Sequence, residues 1–292
     1  MQDRYKTTNI ASILGIIGNI FLLIIKGIIS ILTNSKAMLA DTLNSASDIF
    51  SSIMTYIGNK IASTPKDKDH NLGHGKAEYI YTLLISIAMI LMSTKSLKDS
   101  IISLIKGSTY KFSIWLIIVC IITIITKLAL YIYTNIIYKK YNNILVKANS
   151  KDHRNDAILT SLNLFACILS YYKIYYFDSL VGIIISIWII STGISLFKES
   201  YDVLMDKAMP EEIKKRIIKI IKTHKEIKKI KHFNSTPVGH RYQVSFTIYV
   251  DGNLTTFKSH EIADTLEDEI EEQIKEVSLT VIHVNPINIK KM

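Results

Sequence analysis

The sequence predicts an α-helical membrane domain of six transmembrane helices followed by a small cytoplasmic α+β domain. The chain has 292 residues, of which 49% are hydrophobic, and its mean hydropathy is +0.25. The long apolar segments all lie within residues 1–205, whereas residues 206–292 are rich in lysine and glutamate and contain no apolar run that could span a bilayer. We therefore expect a membrane domain over residues 1–205 and a soluble domain over residues 206–292.

Six apolar segments approach the length of about 20 residues that a membrane helix needs. They cover residues 10–33, 37–61, 79–105, 112–138, 144–172 and 177–197. The fifth is long enough only if it begins near Ile144, before the polar stretch SKDHRNDA at residues 150–157. Cys120 and Cys167 fall inside these segments, so we expect buried apolar residues rather than disulfide partners or metal ligands.

The net charge of +10, from 35 basic and 25 acidic residues, is distributed as membrane topology requires, so no nucleic-acid partner is expected. Basic residues precede the first segment and fill the second–third and fourth–fifth connections, whereas the first and last connections carry one lysine each. The third–fourth connection, with Lys106 and Lys111, is a mild exception. Because basic residues favour cytoplasmic loops, both termini are predicted to be cytoplasmic.

The soluble domain is predicted to follow the order αββαβ, a ferredoxin-like or metallochaperone-like two-layer sandwich. Isoleucines at helical spacing indicate helices over residues 211–223 and 259–277. Alternating residues indicate a strand over 241–250, with further strands over 227–233 and 279–286. Because so small a sheet buries limited area, we expect a homodimer.

Carboxylates within the apolar segments are the first candidates for function, because ionisable groups are costly inside a bilayer. Asp41, Asn44 and Asp48 follow the spacing i, i+3, i+7, so they share one face of the second helix. Asp152 and Asp156 are spaced i, i+4 and share one face of the fifth. Two helices that each present oxygen ligands to one point would form a cation site.

The alternative is that these polar groups only join helices by hydrogen bonds. Three aspartates without an obvious fixed lysine partner argue against that alternative. Lys26 and Lys127 lie within the first and fourth segments. Either lysine would neutralise Asp41 or extend toward an interface, and the sequence leaves both possibilities open.

Two further groups contain histidine. In the loop KDKDHNLGHGKAE, the residues Asp67, His70 and His74 follow the spacing i, i+3, i+7, and mixtures of Asp and His suit divalent metals. The soluble domain contains a second, scattered set of histidines. That set comprises His232, His240, His260 and His283.

Six motifs in order resemble the cation diffusion facilitator, or cation efflux, family of divalent-metal/proton antiporters. The similarity extends over nearly the whole chain. The motifs are NSKAMLADTLNSASD (34–48), HNLGHGKAE (70–78), DHRNDA (152–157), FDSLVG (177–182), LMDKAMP (204–210) and IHVNP (282–286). The resemblance implies a homodimeric secondary transporter rather than an enzyme, in a bacterial cell membrane, with no resident cofactor.

The resemblance places the transport site at Asn44, Asp48, Asp152 and Asp156. Zinc-type members of the family carry histidine in this set, whereas here His153 is one residue past the ligand position, about 100° around the helix. An all-oxygen set favours harder ions such as Mn²⁺, and it resembles the manganese-exporting branch. We therefore expect export of Mn²⁺, with Fe²⁺ as the next candidate, in exchange for protons on the carboxylates.

The family pattern also assigns the remaining groups. Asp67, His70 and His74 match its loop metal site, and Lys76 with Asp206 resembles its charge interlock. In the soluble domain His232, His260 and His283 match positions of a site at the dimer interface, and His240 is expected to be a bystander. Phe246 lies near an expected ligand histidine and Asn285 replaces an aspartate, so we expect weaker, single-metal or regulatory binding there.

Three other functions remain in competition. A Zn²⁺/Cd²⁺/Co²⁺ exporter of the same family is the main rival. A non-transporting metal-binding scaffold would have no need of buried carboxylates, and a membrane enzyme using Asp67, His70 and His74 would need a nucleophile or substrate motif that the sequence does not display.

Overall fold

The computed structural model describes residues 2–33, 36–106, 114–171 and 176–287. Over these ranges the chain forms eight α-helices and three β-strands. They divide into two compact units. The helical unit comprises residues 1–64 and 77–201, and the tail unit comprises residues 65–76 and 202–292. The predicted boundary between residues 205 and 206 stays a prediction.

Six long helices follow one another from the N-terminus. They are α1 (Gln2–Thr33), α2 (Lys36–Ala62), α3 (Ala77–Lys106), α4 (Ile114–Tyr141), α5 (Ile144–Tyr171) and α6 (Tyr176–Leu204). Among the described residues, three segments within α1, α3 and α4 are long and apolar enough to cross a membrane. These segments are Arg4–Ile29, Ala77–Lys106 and Ile117–Tyr141.

The start of α5 is set by two consecutive asparagines. Asn142 adopts a positive φ of 49°, which asparagine tolerates better than most residues, and this turn ends α4. Asn143 then caps α5, because its side-chain oxygen accepts hydrogen bonds from the backbone N–H groups of Leu145 (2.9 Å) and Val146 (3.3 Å). Asp152 and Asp156 therefore lie more than two turns inside the helix.

The helical unit buries many polar side chains and exposes many large apolar ones. Side chains such as Asn19, Ser52 and Asn59 are buried, whereas large apolar side chains such as Ile17 and Leu91 are exposed. Water would disfavour this arrangement, but lipid favours it because polar groups then find partners within the bundle. The distribution supports a membrane-embedded unit.

The tail unit has the predicted αββαβ order. Its elements are α7 (Glu211–Ile221), β1 (Lys229–Val238), β2 (Arg241–Asp251), α8 (Thr256–Gln273) and β3 (Val277–Ile287). The sheet order is β1-β2-β3, with β1 antiparallel and β3 parallel to β2. Apolar side chains of α7, α8 and the sheet form one core that includes Ile217, Phe246 and Leu266.

The boundaries predicted for two elements of the tail, α8 and β1, are wrong. Helix α8 begins before residue 259, because the side chain of Thr255 caps it by accepting a hydrogen bond from the backbone N–H of Lys258. It ends at Gln273, because Ile274 is already extended where the chain turns into β3. Strand β1 continues beyond residue 233, since pairing with β2 extends its ladder to Val238.

Candidate metal-binding sites

The helical unit brings together three carboxylates that the sequence analysis proposed as ligands. Asp48 comes from α2, and Asp152 and Asp156 come from one face of α5. One oxygen of each lies within 4.8 Å of the others. Asp48 is buried and the other two are partly buried. Carboxylates grouped this closely repel one another unless cations or protons compensate them.

Asn44 lies one turn before Asp48 in α2, but its side chain and that of Asp41 are outside the part of the structure that is described. The same holds for Cys167. The prediction that Asn44 provides a fourth ligand therefore stays a prediction that rests on helical spacing.

A cavity of about 70 Å³ adjoins the three carboxylates. Its lining also includes Ser51, Ser93, Ser186, Met89 and Met92. The volume exceeds that of one water molecule, so an ion with part of its hydration shell fits beside the carboxylates. The arrangement can bind a cation through oxygen atoms.

A lysine that the sequence analysis left unassigned contacts two of the carboxylates. Lys127 of α4 places its Nζ 2.6 Å from Oδ2 of Asp48 and 2.6 Å from Oδ2 of Asp156. No fixed lysine partner of the aspartates was obvious from the sequence, and Lys127 is one for Asp48 and Asp156. The signal available in the sequence was a lone lysine within the apolar run of α4, but its partners lie 79 and 29 residues away.

Lys26 of α1 occupies a different position. It is buried, and its Nζ donates a hydrogen bond to the hydroxyl of Ser45 at 3.0 Å. This contact lies on α2, three residues before Asp48.

His153 is buried but is not among the residues whose ligand atoms come together. Its Nε2 lies close to Gly15 of α1, where an added Cβ would be only 3.6 Å away. Among the described residues neither ring nitrogen has a hydrogen-bond partner. The grouped ligand atoms are therefore all carboxylate oxygens.

The loop of the tail unit groups Asp67, His70 and His74. Ligand atoms of the three lie within 4.8 Å of one another, with His70 Nδ1 at 3.4 Å and His74 Nε2 at 3.5 Å from oxygens of Asp67. Asp67 also accepts hydrogen bonds from the backbone N–H groups of His70 and Asp69. These bonds, led by that from His70, and the two imidazoles lower the pKa of Asp67, so it is ionised and available to a cation.

Two glycines determine the backbone path of this loop. Gly73 has a φ of +80°, which glycine adopts without strain. Gly75 packs against Gly239 in the turn between β1 and β2, and a Cβ on Gly75 would lie 3.0 Å from the Gly239 Cα. The loop is thus held by backbone contact with the tail sheet, which fixes His74 between the two glycines.

Lys76 and Asp206, the expected charge interlock, are in contact. The Lys76 Nζ is 2.6 Å from Oδ1 of Asp206. Asp206 has a φ of 55° just past the end of α6, and the backbone N–H of Lys207 bonds to the carbonyl of Asp202. This is the turn that ends many helices, and it aims the Asp206 side chain toward the loop lysine.

The tail histidines do not form a cluster within the described part of one chain. His232 lies in the irregular part of β1 where the register shifts, His283 lies on β3, and His260 is on α8 beside Asp264. Because β2 separates β1 from β3, the backbones of β1 and β3, which carry His232 and His283, are roughly 10 Å apart. Phe246 is buried in the core and stacks on Phe233, so it faces away from any surface ligand set.

The fold and the grouped carboxylates define a helical membrane protein with an acidic cluster inside its helical unit. Residues 12–205 match the family described as the cation efflux transmembrane domain, and residues 209–287 match the cation efflux protein cytoplasmic domain. The chain therefore belongs to the cation efflux family of metal transporters, and the predicted resemblance is confirmed.

Individual relatives match over almost the full length. The manganese efflux system protein MneP of Bacillus subtilis is 29% identical, covering 98% of each chain. An uncharacterized transporter of Methanocaldococcus jannaschii is 28% identical, covering 94% of this chain and 97% of that protein. The metal-bound C-terminal domain of the CzcD transporter from Thermotoga maritima overlaps 27% of this chain and 92% of its own at 20% identity, with a TM-score of 0.26. At that TM-score the structural similarity supports no conclusion about this chain.

Proposed function

We propose that the protein exports Mn²⁺ from the cytoplasm in exchange for protons, with Fe²⁺ as the next candidate substrate. The observation that carries this proposal is the grouping of Asp48, Asp152 and Asp156 beside a cavity inside a cation efflux membrane domain. Asn44 completes the set as an amide oxygen one turn from Asp48. Six membrane helices carry the site, and both termini are cytoplasmic.

The donor set supports manganese over zinc. The grouped ligand atoms are carboxylate oxygens, which suit Mn²⁺, whereas imidazole suits Zn²⁺. His153 is directed toward Gly15 of α1 and is absent from the group. A relative named as a manganese efflux protein, 29% identical over 98% of the chain, agrees with this choice.

The same carboxylates provide the coupling to protons. An oxygen that coordinates a metal does not carry a proton, so metal and protons bind to the site as alternatives. When the bundle exposes the site in turn to each side, an inward proton gradient drives the metal outward. This motion would be a rocking of helices around a site that stays assembled.

The remaining sites have supporting roles. Asp67, His70 and His74 form a second metal site, and Lys76 with Asp206 connects the loop to the end of α6. The cytoplasmic domain joins two copies into a homodimer in a bacterial cell membrane. His232, His260 and His283 form a weaker, regulatory metal site that needs both copies, because one chain holds them apart.

Transport in proteoliposomes tests the proposal. The purified protein is reconstituted, a pH gradient is imposed, and uptake of Mn²⁺, Fe²⁺, Zn²⁺ and Co²⁺ is measured. We expect proton-coupled Mn²⁺ flux that Asp156→Ala abolishes. Asp99→Asn, which alters an exposed carboxylate of α3 outside the cavity, is the matched control and retains the flux.

Equal or greater Zn²⁺ flux by the wild-type protein would favour the zinc exporter instead. Absence of flux for every metal, with metal binding retained, would favour the scaffold.

A second experiment tests the reason for the selectivity. Replacing Asn44 and Asp152 by histidine introduces imidazole at two of the four ligand positions, and this should shift transport from Mn²⁺ toward Zn²⁺. This double variant is compared with wild type in the same liposomes. An unchanged metal preference would contradict the oxygen-donor argument.

A further inference from the structure

Lys127 is the one cation that the described structure shows in direct contact with the carboxylate cluster. It lies on α4 in an apolar run and is 1% exposed. Its Nζ is 2.6 Å from Oδ2 of Asp48 on α2 and 2.6 Å from Oδ2 of Asp156 on α5. A buried ammonium is strongly unfavourable without such partners, so this position is specific rather than incidental.

The ammonium lies where an ion bridging these two oxygens would lie. Divalent cations bind carboxylate oxygens at about 2.0–2.6 Å, and the Nζ is 2.6 Å from both. An ammonium and a metal ion do not share that space, and their like charges repel each other. The lysine must therefore leave these oxygens before a metal bridges them.

We propose that Lys127 is a tethered cation that competes with the transported metal for Asp48 and Asp156. This inference rests on the proposed function, because it concerns the same site. The flexible four-carbon stem of lysine lets the charged group move without unfolding α4.

Competition has two consequences for transport. It weakens metal binding, because each metal ion must displace an ammonium that already has two carboxylate partners. It also assists release, because the returning ammonium offers those carboxylates a replacement cation as the metal departs. Lys127 thus makes the site a lower-affinity, faster-releasing one than three unpaired carboxylates would be.

The test uses full-length protein in detergent and measures the dissociation constant for Mn²⁺, and in parallel for Zn²⁺, by calorimetric titration. Lys127→Met retains a long side chain without the charge, and we expect at least about tenfold tighter binding, which corresponds to about 1.4 kcal/mol. Lys127→Arg places a forked guanidinium between the carboxylates, which is harder to displace, so binding should be weaker than in wild type. In proteoliposomes Lys127→Met should lower both KM and kcat, because the metal binds more tightly and leaves more slowly.

The control is Thr134→Val, which alters a buried residue of α4 whose hydroxyl, among the described residues, bonds to backbone carbonyls of the same helix. It should bind and transport metal as wild type does. If Lys127 has only a structural role, Lys127→Met binds with unchanged or lower affinity and Lys127→Arg resembles wild type, and either result overturns the inference. If Lys127→Met does not fold, the affinity of Lys127→Arg decides alone.

Failure of the proposed function is distinguishable. In that case the wild-type protein either shows no transition-metal binding that Asp156→Ala removes, or binds metal without transporting it. If only the competition inference fails, metal binding still depends on Asp156, and only the results for the Lys127 variants differ from those expected.

Discussion

Removing one partner of the ion pair between Arg4 and Glu78 should strongly destabilise the helical unit. Arg4 lies near the start of α1 and is 6% exposed, and Glu78 lies at the start of α3 and is 2% exposed. The guanidinium donates two hydrogen bonds to the carboxylate, at 2.6 and 2.7 Å, and a third from Nε to the carbonyl of Tyr141 at 3.3 Å. One side chain therefore ties α1, α3 and the end of α4 together.

Glu78→Gln removes the negative charge with little change in shape and leaves the Arg4 charge buried without its partner. Breaking one side of a buried pair costs about 3–5 kcal/mol. For a unit of this size each kcal/mol shifts the melting temperature by about 2–4 °C, so we expect a decrease of roughly 6–20 °C. Thermal unfolding in detergent, followed by tryptophan fluorescence, measures it.

Two comparisons make the result specific. The double variant Arg4→Met with Glu78→Leu removes both charges, so it should be far more stable than the sum of the single losses predicts. Glu199→Gln breaks the ion pair between Glu199 and Lys147. Because the Glu199 side chain is 41% exposed, this should cost only about 0–1 kcal/mol. A Glu78→Gln loss no larger than that of Glu199→Gln would refute the reasoning, as would a double variant that loses the full sum.

Three further outcomes concern the tail unit. Gly75→Ala should increase proteolysis of the loop 65–76, because its Cβ meets the Gly239 backbone at 3.0 Å; unchanged cleavage would contradict the close packing. Glu267 and Glu271 accept hydrogen bonds from backbone N–H groups of the edge strand β3. Replacing both by alanine should speed hydrogen exchange in β3 by roughly fivefold per lost bond, which corresponds to about 1 kcal/mol. Equal exchange in β3 of wild type and variant would argue against this capping. Asp206→Asn keeps a residue that tolerates the positive φ and removes only a solvent-exposed ion pair. The free energy of unfolding, measured by thermal unfolding, should therefore fall by no more than about 1 kcal/mol. A larger decrease would show that the pair is stronger than its exposure implies.

Much of the architecture follows from patterns that are local in the chain. The periodicity of isoleucines and the alternation in RYQVSFTIYV predict the αββαβ order, and the structure agrees. The spacing of Asp152 and Asp156 is sufficient to place both on one face of α5, since a helix repeats every 3.6 residues. Helix ends were harder to predict from the sequence, because the cap of α8 by Thr255 is a single side-chain contact that periodicity does not reveal.

Contacts between distant parts of the chain were decided only by the tertiary structure. The sequence contains Lys127 and Asp48 as isolated charges, and the rotation of α4 and α2 about their axes decides that they meet at 2.6 Å. The pairing of Arg4 with Glu78 and the approach of Gly75 to Gly239 depend in the same way on packing. Spacing along one helix is set by backbone hydrogen bonds, whereas the partner of a side chain on another helix depends on how all the helices pack. For that reason the sequence indicates the aspartates of the site, and only the folded chain reveals the lysine between them.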